Sequence, residues 1–153
     1  MAIAICGMSP DREIPKGFEL WGMPWDSEWT RMDVLFDMHD PALMPEKHKE
    51  RLEDCFVPLY MQKVYHPNVT AYPLREVIDI VGDYFHCTIA YMIAFAIFKK
   101  VHDVVLVGVT GSEDYSSQRA SIEYMIGVAR GRGISVHVLG ETDLFSGERY
   151  GFL

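Results

Sequence analysis

A single α/β domain over residues 1–153, with a mostly parallel sheet and helices on both faces, is the fold class this sequence predicts. Three observations carry it. Asp103 to Val109 reads Asp-Val-Val-Leu-Val-Gly-Val, a continuous aliphatic run that suits a parallel strand covered on both sides. Ser116 to Arg132 follows as a helix with Ile122, Met125, Ile126 and Ala129 on one face; Gly133 ends it, and Ile134 to Leu139 supplies the next strand. Strand, helix and strand in this order form a βαβ unit, whose crossover is right-handed. Cys87 to Lys99 is apolar almost all round, the mark of a helix packed on more than one side.

The remaining elements follow in chain order. Ala2 to Cys6 is a short apolar strand closed by Gly7 and a loop rich in turn residues. Phe18 to Met23 and Asp33 to Met38 read as further strands ending at Pro24 and Pro41, and Asp26 is placed to cap a short helical turn through Thr30. Pro45 to Asp54 is a polar helix whose charge run suits a solvated face with i,i+4 pairs. Val57 to Gln62 is a strand. His66 to Pro73 is a loop or a short edge strand, since Pro67 and Pro73 remove ladder donors, and Leu74 to Val81 is a short helix.

Composition narrows the function classes. The chain is 49% hydrophobic, enough to build a core, and its formal charge of −8 argues against a surface that grips nucleic acid through phosphates. Cys6, Cys55 and Cys87 lack paired short spacing, so neither a disulfide framework nor a zinc site is expected, and a reducing cytoplasm fits. The apolar N-terminal run has no basic lead and is short for a secretion signal. Ile89 to Phe98 is about half the ~20 residues of a membrane span.

In a parallel sheet, ligands bind beyond the carboxyl ends of the strands, where loops meet helix N-termini. Three loops qualify. Gly7 to Glu13 has neither GxGxxG nor GK[ST], so dinucleotide and ATP-hydrolysis readings lose their main support, while Gly7 and Ser9 still allow backbone to approach a nucleotide. Gly7 reads equally as a turn residue. Asp37, His39 and Asp40 suit a divalent ion or sugar hydroxyls, against the plainer reading of an exposed polar turn. His86 and Thr88 precede or open the buried helix, as ligand contacts or as caps. The third loop, Thr110 to Arg119, brings Thr110, Tyr115, Gln118 and Arg119 as candidate ligand contacts. Arg119 and Glu123, four apart, form either a surface salt bridge or, with Glu123 shielded beside Ile122, a phosphate-binding arginine and a catalytic carboxylate.

Tyr84 to Val109 resembles the helix and strand after the active-site loop of bacterial lipooligosaccharide sialyltransferases, where an alanine-rich helix leads into Ile-x-Leu-x-Gly-x-Asp. The start Ile3-Ala4-Ile5-Cys6-Gly7-Met8-Ser9-Pro10 is similar to their nucleotide-binding Gly-x-Gly-Pro-Ser, with Ser9-Pro10 inverted. Thr110 stands at the acidic position of that strand, and the chain has no room for the family's inserted lid. Glu113, Tyr115, Gln118 and Arg119 also resemble a loop of small tailed-phage proteins, which would place the chain in a host cytoplasm. Ser121 to Ile134 looks like the helix of nucleoside deoxyribosyltransferases and nucleotide N-glycosidases, whose nucleophilic carboxylate would fall on Glu123.

Together these readings predict a Rossmann-like domain that binds a nucleotide or nucleotide sugar at the carboxyl edge of its sheet. As an enzyme it would cleave or transfer a glycosidic bond. The alternatives are a non-catalytic nucleotide-capture module and an acidic protein-interaction domain. No cofactor, resident metal, nucleic acid or membrane partner is expected, and a homo-oligomer is left open.

Overall fold

The computed structural model describes residues 1–112 and 116–151. Seven strands, all parallel, form one sheet in the order β5-β4-β3-β2-β1-β6-β7. They are β1 Ala2–Cys6, β2 Glu19–Gly22, β3 Val34–Phe36, β4 Leu59–Met61, β5 Val69–Ala71, β6 Asp103–Val107 and β7 Ser135–Leu139. The helices are α1 Glu46–Glu53, α2 Leu74–Val81, α3 Thr88–Phe98 and α4 Ser116–Gly131. This is the Rossmann-like α/β arrangement expected from the sequence, with every strand parallel rather than most.

The handedness of parallel crossovers explains the layers. From β1 to β5 the sheet grows in one direction, and those connections lie on one face; β6 returns to the far side of β1 and growth reverses, so the next helices lie on the opposite face. α2, α3 and α4 cover Ile3, Ile5, Trp21, Phe36, Val104, Leu106 and Val136. The other face packs Cys6, Leu35, Leu59, Met61 and Val69 under Met32, Leu52 of α1, Cys55 and Val57. In β1 to β4 successive residues divide between these two clusters, as a pleated strand requires.

α3 is the central helix of its layer, with Ile89, Ala90 and every residue from Met92 to Ile97 buried. Its Phe95 docks among Trp21, Phe36, Tyr60 and Tyr72, with ring centroids 5.5, 5.5, 4.8 and 5.6 Å away. Contacts of this kind add roughly 0.5 to 1.5 kcal/mol each beyond area burial. They register α3 over β2 to β4. No helix among the described residues is long and apolar enough to cross a membrane.

Differences from the sequence reading are local. Most strands are shorter than their apolar runs because pairing stops where the backbone turns into the loops. His66 to Pro73 does contain an edge strand, β5. Asp26 does not cap the 3₁₀ turn Trp29–Arg31, whose N-cap is Glu28; instead its Oδ1 accepts the Glu28 N–H at 2.9 Å, one step earlier.

Two features fix the end of β1. Gly7 donates its N–H to Val107 at 2.7 Å, and a Cβ on Gly7 would lie 2.3 Å from the Gly108 carbonyl oxygen. Beneath it, Arg12 folds inward, donating to the Gly7 carbonyl and pairing with Asp26, both side chains being almost wholly buried. Burial lowers the Arg12 pKa, but the Asp26 hydrogen bond outweighs it and the net shift is upward, so the guanidinium stays charged.

Gly7→Ala is expected to lose about 1 to 3 kcal/mol through backbone overlap. Gly127→Ala, in α4 where an added Cβ meets nothing within 4 Å, should gain about 0.5 to 1 kcal/mol. Urea denaturation of both variants checks the contrast. Asp26→Ala strands a buried cation and should cost about 3 to 5 kcal/mol, whereas the paired Arg12→Met/Asp26→Leu replacement should cost clearly less than the two single changes together. Additive losses would show that the pair is not coupled.

Candidate functional site

Where sheet growth reverses, the loops after β1 and β6 leave in opposite directions, which opens a crevice at the carboxyl edge. A cleft of about 740 Å³ lies there. One wall is the loop after β1, including Gly7, Met8 and Ser9; the opposite wall is Gly108 to Gly111 with Gln118, Arg119 and Ile122 of α4. The start of α3 and the residues before it, Phe85 to Ile89, with Tyr91, close the side, and Met23, Met38 and His39 complete it from β2 and β3.

Of the residues singled out from the sequence, Gly7, Ser9, His39, His86, Thr88, Thr110, Gln118 and Arg119 all line this cleft. Asp37 is buried behind it. Its Oδ1 accepts the His39 backbone N–H at 2.9 Å and lies 2.6 Å from His39 Nδ1. With Nδ1–H donating to the carboxylate, the ring presents Nε2 as an acceptor, the tautomer a proton acceptor needs. Asp40 does not join them: it accepts from Ala42 N–H at 3.0 Å and from Lys63 Nζ at 2.7 Å, the Lys63 bond leading the depression of its pKa. Among the described residues no three His, Cys, Asp or Glu side chains gather as a metal-holding group. Tyr115 lies outside the described residues.

Neither His86 nor Thr88 caps α3. The N-cap is Cys87, which makes no side-chain capping hydrogen bond, so this helix end meets the cleft without a capping carboxylate or hydroxyl. Burial raises the Cys87 thiol above its ordinary value, against weaker opposing bonds from the Ala90 backbone and Ser121, which keeps it protonated at neutral pH. The same cause takes Cys6 and Cys55 to about 11. None of the three has the depressed pKa of a reactive thiol.

Glu123 stands outside the cleft lining. Its Oε1 receives Arg119 Nε–H at 2.8 Å and the Phe145 N–H at 2.6 Å, and Arg119 Nη2 reaches the Ser146 carbonyl at 3.2 Å. The surface-pair alternative therefore describes this geometry, with an addition: the pair ties α4 to the C-terminal segment. That segment in turn holds the β6 loop, because Thr142 Oγ1 donates to the Val109 carbonyl at 3.0 Å and Asp143 N–H to the Thr110 carbonyl at 2.6 Å.

Sequence reasoning missed the apolar half of the site. Phe85 and Tyr91 stack at 4.2 Å across the start of α3, and Met8, Met23 and Met38 add flexible apolar surface. Two aromatics flanking a helix start were the available signal. Arg12, under the floor, gave none, since a loop arginine reads as solvated.

Burial works to raise the Glu123 pKa, but the Arg119 and Phe145 hydrogen bonds override it and the net shift is downward from 4.5. A depressed folded pKa stabilises the fold above the unfolded value and is lost as pH falls through the folded one. Glu123→Gln should therefore cost about 1 kcal/mol at pH 7 and almost nothing near pH 3. Denaturation at the two pH values checks this, and an equal cost at both would contradict the ion pair.

Comparison with family models, curated proteins and solved structures found no match, so the reading of the cleft rests on its own residues.

Proposed function

We propose that this protein binds a nucleotide or nucleotide sugar in the cleft between the ends of β1 and β6. The observation that carries the proposal is the coincidence of a cavity of about 740 Å³ with the topological switch point of an all-parallel sheet. That volume falls within the range of roughly 300 to 1,000 Å³ typical of small-ligand sites. The ligand's two halves find matching chemistry. The uncapped start of α3, Arg119 and His86 favour an anion, while Met8, Met23, Met38 and Phe85 supply apolar surface for a base. The similarity of Ile3 to Pro10 to a nucleotide-binding start agrees with this assignment.

A catalytic extension, cleavage or transfer of a glycosidic bond, is favoured by one observation, the carboxylate-oriented His39 on the cleft wall. In that reading His39 Nε2 accepts the proton of the attacking hydroxyl or water. Its oxygen bonds to the anomeric carbon while the bond to the leaving group breaks, the electron pair departing with that group. Glu123, committed to Arg119 and Phe145, is not assigned the nucleophile's role.

A thermal-shift screen of nucleoside mono- and diphosphates and nucleotide sugars tests binding: a ligand at 100 times its dissociation constant adds about 2.7 kcal/mol. His86→Glu, at an exposed position, should weaken the responding ligand about tenfold, equivalent to roughly 1.4 kcal/mol. No response from the whole panel at millimolar concentration removes the proposal. Chromatography for released base or sugar then separates capture from turnover. His39→Gln should abolish turnover and Glu123→Gln should not.

A further inference from the structure

A second cavity, of about 730 Å³, lies on the α1 side of the same sheet edge. It is lined by Trp25 from the loop after β2, by His39 and Asp40 after β3, and by Leu43 to Pro45, Lys47, His48 and Arg51. His39 belongs to the walls of both cavities. We propose that this groove is a second ligand subsite, built for an aromatic ring that carries a phosphate, and that its occupant is a nucleoside monophosphate or the equivalent half of a larger nucleotide.

The ring has a platform. Trp25 and His48 lie with centroids 4.0 Å apart, and Leu43, 84% exposed at the rim, is an apolar side chain that nothing in the fold covers. An exposed leucine that lines the same groove as an aromatic pair offers apolar surface to a planar group.

The phosphate has its cations. Lys47 and Arg51 are four residues apart on α1, a like-charge spacing that weakens an isolated helix. Neither has an ion-pair partner among the described residues; Arg51 donates only to the Pro24 carbonyl, at 3.2 Å. The one carboxylate of the groove, Asp40, is held by Lys63 at 2.7 Å and so does not neutralise them. In a chain of net charge −8, two unpaired cations facing an aromatic platform form a local exception. An anion placed between them removes their repulsion.

This assignment does not depend on what fills the cleft, and the experiment keeps the two sites apart. Calorimetry on the full chain with adenosine 5′-monophosphate at low salt should give two binding equivalents. Lys47→Glu/Arg51→Glu should weaken the groove equivalent about tenfold or more, and Lys47→Gln/Arg51→Gln by less. His86→Glu should affect the cleft equivalent alone. Groove occupancy should quench Trp25 fluorescence, a signal absent from Trp25→Phe, whereas inorganic phosphate or adenosine alone should quench weakly at the same concentration. One equivalent that survives the charge reversal overturns the groove and leaves the cleft standing. One equivalent lost on charge reversal but indifferent to His86→Glu keeps the groove and removes the cleft. Loss of Trp25 quenching in His86→Glu overturns the groove as a separate site.

Discussion

The approach of Gly7 to Gly108 sets the geometry on which the rest depends. Among the described residues β1 is the strand that joins the first half of the sheet, through β2, to the second half, through β6. Gly7, which follows it, donates its N–H to the Val107 carbonyl, and Ser9 N–H donates to the Gly108 carbonyl at 3.2 Å, so the two chain halves are stitched together at the point where they diverge. A side chain on Gly7 would push these ends apart. Gly108, at φ +68°, turns the chain away from β1 and into the loop that leads to α4. Three glycines, Gly7, Gly108 and Gly111, therefore line the cleft at this point, where a ligand meets peptide groups alongside the apolar side chains.

Arg12 makes the cleft floor rigid at an electrostatic cost. A guanidinium taken out of water demands a partner, and Asp26 supplies one from the loop after β2. The pair thereby joins the β1 loop to the β2 loop. It also donates to the Gly7 carbonyl, leaving one wall of the cleft held from beneath. The opposite wall is held from outside, by Thr142 and Asp143 on the β6 loop and by Glu123 and Arg119 on α4. The candidate site thus sits between two braced walls, and of the residues that brace them Arg119 alone also lines the cleft.

Much of the fold was legible because parallel strands and buried helices leave simple patterns. Val104 to Val107 has no polar alternation since both its faces are covered, and α3 has no polar stripe since α2, α4 and the sheet surround it. The cleft loops were legible for a topological reason: once the sheet is parallel, its carboxyl edge is where loops and helix starts meet. Pair geometry was not legible. Arg119 and Glu123 at i,i+4 look alike whether they bridge on the surface or face a ligand; the discriminating partner, Phe145 N–H, lies 22 residues away. The α1 charges were read as alternating surface pairs, yet only Lys49 and Glu46 approach, at 4.0 Å, while Lys47 and Arg51 face a groove whose other wall comes from β2 and β3 loops. A helix face acquires meaning only from what packs opposite it.

The unequal layers explain why the two cavities meet at His39. On the α2 to α4 side, three helices of 8, 11 and 16 residues pack against the sheet, and a cavity lies at the switch point. On the other side the crossovers carry two 3₁₀ turns and a single helix, the eight-residue α1, so less helix covers that edge, and the second cavity lies there. The end of β3 lies between the two layers, and a side chain placed there is reached from both. A free imidazole at such a position would sample several rotamers. Asp37 removes that freedom, because it is buried at the strand end, binds the His39 backbone N–H and ring Nδ1 through one oxygen, and so fixes the turn and the ring together. Orientation of the imidazole is then a property of the sheet edge itself, and the one ring that lines both cavities has its direction set by folding.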